Sequence, residues 1–411
     1  MTTSMAAGMA AHRSERAAGF TAPLALRGVP AAPPHVGLNL VFLVPGETGG
    51  MEIYARELLT AMAEIAPADQ RFTAFINREA AAQPGPWHDL ARAVVVPVQA
   101  SRRTEWVRGE QQYLPRLAAQ AGCDIVHSLA STAPLWGRFR RVVTIHDVTY
   151  RVVPEAHLGL LGLGMRLLVP AAAHRTDRII TDSASTREDL LRFYRLDAER
   201  IDTVPLGVRL RMDGSPTPEA QLRDRHRLGA RPLLLCVSAQ RPHKNLARLI
   251  EALVRWAPAE RPVLMIVGYE TAYGRELLTR ADALGVGEDL RLVGWVEADD
   301  LEGLYAMAAA FVFPSLYEGF GLPVLEAMAR GVPVATTDRG SLPEVAGDAA
   351  LTFDPLDPAA IASAVKRLLT DTALAERLRE AGRTRAAQFS WAATARGTLD
   401  VYARTAAGSR R

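Results

Sequence analysis

Two glutamates, Glu318 and Glu326, stand with seven residues between them in the run SLYEGFGLPVLEAM that begins at Ser315. An apolar stretch ends at Pro314, the loop that follows carries Gly319 and Gly321 around Phe320, and Pro323 reads as the first residue of a helix. Proline is favoured there because its missing N–H would be unpaired anyway. The glycines let the backbone approach a ligand with no Cβ in the way. The free amides and positive dipole of the helix end offer a site for phosphate. A carboxylate is repelled by phosphate at contact, so the two acids suit hydroxyl groups instead. Glu318, before the loop, would meet a sugar, and Glu326, read in the first helical turn, a ribose. Taken alone, Glu326 fits equally well a residue that complements the helix dipole.

These groups need elements to hold them. From residue 36 onward, short apolar runs alternate with stretches of helical period, the pattern of parallel βαβ units. The spacing predicts strands at 36–44, 71–76, 93–98, 124–128, 141–146 and 178–181, and again at 233–238, 263–267, 290–293, 310–314, 334–337 and 350–353. Two similar α/β halves result. Ligands of open parallel sheets sit beyond the carboxyl ends of the strands, so His127, Ser128, His146 and Ser183 are candidates to line a cleft. Ser183 also fits a helix N-cap. Glycine, proline and charge collect between 207 and 230, which marks a linker between domains at 36–206 and 231–385. Residues 1–35, rich in Ala, Pro and Arg, read as a disordered leader, and 386–411 as a helix with a frayed tail.

Composition narrows the classes. A chain of 411 residues exceeds one ordinary α/β core, and 49% hydrophobic against 23% charged residues suits a soluble protein. The net charge of +3, from 48 basic and 45 acidic residues, is too near balance for a nucleic-acid binder. Cys123 and Cys236 lie in apolar runs and read as reduced core residues of a cytoplasmic protein. The most apolar long stretch, 158–173, is broken by glycines, Arg166 and Pro170, short of the roughly twenty apolar residues of a membrane span. Any membrane contact is therefore expected to be peripheral. Asp299 and Asp300 could suggest a metal, but Asp299 as N-cap with Glu302 three residues on matches a capping box. No metal is expected.

The EGFGLPVLEAMA stretch resembles the E-x7-E motif of retaining GT-B glycosyltransferases of family 4, with Glu318 and Glu326 in the places of its two acids. Gly331-Val-Pro-Val334 and Gly340-Ser-Leu-Pro-Glu344 follow in the family's order, and Val237-Ser-Ala-Gln-Arg-Pro-His-Lys-Asn245 precedes it with Lys244. In the first half, Thr144-Ile-His-Asp147 is similar to the family's strand-end histidine, and Gly46-Glu-Thr-Gly-Gly50 to its glycine-rich loop. The latter does not fit the G-x-G-x-x-G dinucleotide fingerprint. The similarity extends over 36–402 and implies two Rossmann-like, doubly wound parallel-sheet domains facing a central cleft, with the last helix crossing back to the first domain.

The resemblance also implies roles. Lys244 would neutralise the diphosphate of a nucleotide diphosphate sugar, Glu318 would hold the transferred sugar and His146 would lie beside it, these three being nearest the reaction. Donor contacts are further implied at Gly49, Gly50, Gly319, Phe320, Gly321, Leu322 and Glu326, and through the backbone at Trp295 and Val296. Where many relatives carry an arginine six positions before the lysine, this chain has Ser238, which leaves Arg241 as the second cation. The expected reaction is retaining transfer of a hexose, with mannose from GDP-mannose favoured by the Gln-Arg-Pro-His-Lys-Asn run, to a glycan or lipid-linked acceptor. A phosphorylase of the same fold and a non-catalytic sugar-nucleotide-binding protein are the alternatives; glycoside hydrolysis has no use for the phosphate-binding helix end. Arg102-Arg-Thr-Glu-Trp106 with Arg108 offers either an ordinary solvated helix or a basic, Trp-bearing face for an anionic membrane at its inner surface.

Overall fold

The computed structural model describes residues 33–154, 160–209 and 215–408, so most of the expected leader lies outside the described residues. In the first half, β1 (Val36–Leu40), β2 (Phe72–Ile76), β3 (Arg92–Val95), β4 (Ile125–Ser128), β5 (Arg140–Ile145), β6 (Arg178–Thr181) and β7 (Ile201–Thr203) form a parallel sheet ordered 3-2-1-4-5-6-7. In the second half, β8 (Leu233–Val237), β9 (Val263–Val267), β10 (Leu290–Val293), β11 (Ala310–Phe313), β12 (Val334–Thr337) and β13 (Ala350–Phe353) form another, ordered 10-9-8-11-12-13. Strands β1, β2 and β9 are buried at every position. Helices cover both faces of such sheets, which is why these strands read as continuous apolar runs.

The strand β7 escaped the sequence reading. It is three residues long at a sheet edge, and of its residues Ile201 alone is buried, so it leaves no apolar run to detect. The stretch read as linker is also partly structured: Glu219–Arg225 is a helix that buries Leu222, and Thr217 Oγ1 donates to Asp300 Oδ1 at 2.6 Å. Residues 215–230 therefore pack on the second lobe. No described helix is long and apolar enough to cross a membrane.

After the helices Pro358–Thr370 and Thr372–Ala386, the chain returns to the first lobe as the helix Trp391–Ala407, which packs beside the helix Gly50–Ile65. A buried polar chain fastens it there. Tyr402 Oη lies 2.7 Å from His127 Nδ1, His127 Nε2 lies 2.8 Å from Thr144 Oγ1, and Tyr54 Oη lies 2.9 Å from the same hydroxyl. Burial pushes the pKa of His127 down to about 3, so its ring is neutral. His127 and Ser128 are wholly buried and do not line a cleft. The reason is their position on β4, between β1 and β5 and beneath the returning helix.

A second buried network lies at the carboxyl ends of β1 and β4. Glu110, in the π-helical turn Gly109–Tyr113, accepts from Asn39 Nδ2 at 2.9 Å, Thr132 Oγ1 at 3.0 Å and Gln111 Nε2 at 3.1 Å. These donors favour the carboxylate, yet desolvation outweighs them and raises the Glu110 pKa to about 7. The folded value lies above the unfolded one, so the stabilising contribution is full below about pH 4.5 and lost as pH rises to about 7. Glu110→Gln should therefore gain about 3 kcal/mol over wild type at pH 8 relative to pH 4.5, since the hydrogen bond the amide cannot accept is missing at both pH values. Thermal denaturation of both proteins at the two pH values reads this, and equal differences at both would contradict it.

Candidate active site

Strand order reverses between β8 and β11, where successive connections leave for opposite faces of the sheet and open a crevice. The loops leaving these two strands carry Lys244 and Glu318. They are tied together at the root: Leu316 N donates to His243 O at 2.9 Å, and Asn245 Nδ2 donates to Pro314 O at 3.1 Å. Lys244 Nζ then reaches Glu318 Oε1 at 2.6 Å, and it also lies 5.6 Å from the Phe313 ring centre. Both side chains are mostly buried, 17% and 12% exposed. An entering phosphate would compete with Glu318 for the ammonium, freeing the carboxylate to accept from hydroxyls.

The loop 314–321, between β11 and the helix Leu322–Ala329, is held from two sides. Ser341 Oγ donates to Glu318 O at 3.1 Å and to Phe320 O at 2.7 Å. From the first lobe, Thr186 Oγ1 donates to Gly319 O at 3.3 Å, Tyr317 Oη donates to Asp189 Oδ2 at 2.7 Å, and Glu344 accepts from the amides of Ala184 and Ser185 at 3.0 and 2.9 Å. Ser183 caps the same helix, Ala184–Tyr194, by accepting from Thr186 N at 3.0 Å, so the capping role describes it and the cleft role does not. A Cβ on Gly319 would sit 2.0 Å from His146 O, an approach that excludes every other residue type. Sequence reading missed Ser341, Thr186 and Asp189 because a hydroxyl or carboxylate that serves a distant loop has no local pattern.

The helix Leu322–Ala329 starts one residue before Pro323, with Gly321 as N-cap at φ 104°. Glu326 therefore lies beyond the first turn, and its carboxylate does not sit at the amide end. Tyr305 Oη donates to Glu326 Oε2 at 3.1 Å. Burial raises the Glu326 pKa, Arg330 and the Tyr305 hydroxyl oppose the rise, and Glu302 and Glu57 add to it. Glu57 belongs to the helix Gly50–Ile65 of the first lobe, so Glu326 faces the element that Gly49 and Gly50 begin. Gly49 is the N-cap at φ 59° with no side chain over the amides. Phe320 turns inward against Phe389, ring centres 5.9 Å apart, and leaves only its backbone to a ligand. Leu322 is half-buried.

Other expected residues are more scattered. Arg241, the N-cap of the turn Pro242–Lys244, is exposed and makes no ion pair among the described residues. Trp295, after β10, is 70% exposed, whereas Val296 packs on the core. The His146 ring is committed within its own lobe: Nδ1 lies 2.7 Å from Asp182 Oδ2 and Nε2 lies 2.8 Å from Leu129 O. It is the main chain of His146 that touches the second lobe. The capping box is not formed, because the helix Ala298–Met307 has Glu297 as N-cap and Asp299 at its second position. Asp300 serves Thr217 and Arg225, and Glu302 serves Arg330. Trp106 packs on the core instead of facing outward. Among the described residues, no three His, Cys, Asp or Glu cluster as metal ligands.

Gly319→Ala should leave a folded protein, since each lobe keeps its core, but should wedge the lobes apart and lower kcat/KM about a hundredfold, the effect of a displacement of about 1 Å in the site. Turnover and a melting curve read the two effects; unchanged turnover would contradict the contact.

A family model described as glycosyl transferases group 1 matches residues 219–385, and one described as glycosyltransferase family 4 matches residues 48–211. The O-antigen chain mannosyltransferase B of Escherichia coli is 33% identical over 267 residues, 64% of this chain and 70% of that protein. A D-inositol 3-phosphate glycosyltransferase of Frankia alni is 29% identical over 87% of this chain and 95% of its own length. Among solved structures, the sucrose-phosphate synthase of Thermosynechococcus elongatus superposes with TM-score 0.73 at 23% identity, over 90% of this chain and 98% of that one, a likeness of fold. The two parallel-sheet lobes have the GT-B fold. With both halves matched by glycosyltransferase models and a relative at this identity, the chain belongs to the glycosyltransferases of family 4.

Proposed function

We propose that this glycosyltransferase moves a hexose, mannose first among the choices, from a nucleotide diphosphate sugar to a hydroxyl of a glycan or glycolipid acceptor, with retention at the anomeric carbon. The observation that carries the site is the Lys244–Glu318 pair at 2.6 Å in the crevice between β8 and β11. One group suits the diphosphate and the other the sugar hydroxyls. The helix end at Gly321 adds free amides for the phosphate. Glu326, with Tyr305 on one oxygen, keeps the other for the ribose. Trp295 lies exposed at the end of β10, in reach of a base held at the rim of the same sheet.

Support for mannose comes from the relative named O-antigen chain mannosyltransferase B and from the Gln240-Arg-Pro-His-Lys-Asn245 run. By the resemblance to retaining GT-B enzymes, attack comes on the leaving-group face and the departing diphosphate takes the acceptor proton. Lys244 and the amides of the helix end bear the charge that develops, and no metal enters the scheme.

A screen of UDP-, GDP- and ADP-sugars, read by nucleoside diphosphate release, tests the donor, and GDP-mannose should be turned over fastest. The anomeric coupling in the product, read by NMR, tests retention. Lys244→Ala should lower kcat by about a hundredfold or more, the cost of removing one group that stabilises developing charge. Wild-type turnover in that variant would overturn the site, and loss of activity in EDTA would overturn the metal-free scheme.

A further inference from the structure

His146 ends β5 and Asp182 follows β6, two neighbouring parallel strands whose tips bring the side chains together. Nδ1 of the ring lies 2.7 Å from Asp182 Oδ2, and Nε2 lies 2.8 Å from Leu129 O. A carbonyl oxygen can only accept, and an ionised carboxylate can only accept. Both contacts are satisfied together when both ring nitrogens carry a proton. We propose that Asp182 is a positioning residue that holds His146 as a doubly protonated imidazolium, and that transfer depends on this charged, oriented form of the histidine. The proposal rests on the glycosyltransferase site centred on Lys244 and Glu318.

The surroundings fit a cation. Asp182 is 2% exposed and its second oxygen, Oδ1, is buried with no hydrogen-bond partner. Burial raises the Asp182 pKa, and the His146 charge and hydrogen bond oppose that rise; a buried carboxylate so poorly supplied with donors stays ionised only with a positive charge beside it. Asp147, the next residue in the loop, adds negative charge, while His127 on β4 is neutral and Tyr54, from the helix Gly50–Ile65, meets the ring edge-on at 4.8 Å. From the second lobe the loop 314–321 presents uncharged Gly319 against His146 O. Burial alone disfavours the imidazolium, but the Asp182 charge, the two hydrogen bonds and Asp147 outweigh it and raise the His146 pKa. In that state neither ring nitrogen has a lone pair to take a proton, so His146 does not act as a general base. A role for Asp182 has no local signature: it precedes the N-cap Ser183, and its partner stands 36 residues earlier.

Long-range proton–nitrogen NMR of the full chain with labelled histidine should find both His146 nitrogens protonated at pH 7.5, with the resonance identified by its loss in His146→Gln. In Asp182→Asn the transition to neutral imidazole should move down by about one pH unit or more. With GDP-mannose, kcat of Asp182→Asn should stay within about threefold of wild type at pH 6 and fall about tenfold at pH 8.5, with donor KM within about threefold, as expected when one charged form is lost. A neutral His146 in the wild type at pH 7.5 would overturn the proposal, as would equal losses of kcat at both pH values in a variant that melts like the wild type. If the wild type does not turn over GDP-mannose, the donor reading fails, and the NMR titration still decides the state of His146.

Discussion

The reversal of strand order at β1/β4 and again at β8/β11 is the constraint on which the rest of this molecule depends. Parallel strands need covered crossovers, and right-handed crossovers running both ways from the first strand of a sheet must diverge at that point. Loops that leave the strands on either side of the reversal are then neighbours, whatever their distance in sequence. Lys244 and Glu318 are 74 residues apart and 2.6 Å from each other for this reason. Their strands are mostly buried, so the loops spring from rigid roots that hold both charged groups over the one crevice.

The loop 314–321 is equally a part of the lobe interface. Ser341 holds its carbonyls from the second lobe, and Thr186, Asp189 and the His146 main chain meet it from the first. Glu344 crosses the interface to the amide end of the helix Ala184–Tyr194, where a carboxylate both accepts hydrogen bonds and complements the dipole. The loop that carries Glu318 and the contact between the lobes are thus built from the same residues.

The strands were legible because each carries its own signal, a short apolar run bounded by polar residues, and twelve of the predicted runs contain the strands β1 to β6 and β8 to β13 within a residue or a few at their ends. The strand β7 was not, since its pairing with β6 supplies what its composition lacks. Glu318, Lys244 and the glycines of the loop stood out because loop chemistry is written in adjacent residues. Other assignments depended on where a helix begins. A start at Leu322 carries Glu326 past the amide end, and a start at Ala298 removes Asp299 from the cap.

Sequence by itself determined the two α/β halves, the GT-B family pattern and the residues that meet at the crevice, since periodicity and loop composition act over a few positions. Tertiary structure alone decided what surrounds them. It turned Phe320 into the core, buried His127 under a helix 275 residues away, and committed the His146 ring to Asp182 while offering its carbonyl to Gly319. The physical reason is that burial and hydrogen-bond partners are set by segments that meet only after both sheets have formed. Those partners fix the charge a side chain carries, and a local pattern holds no record of them.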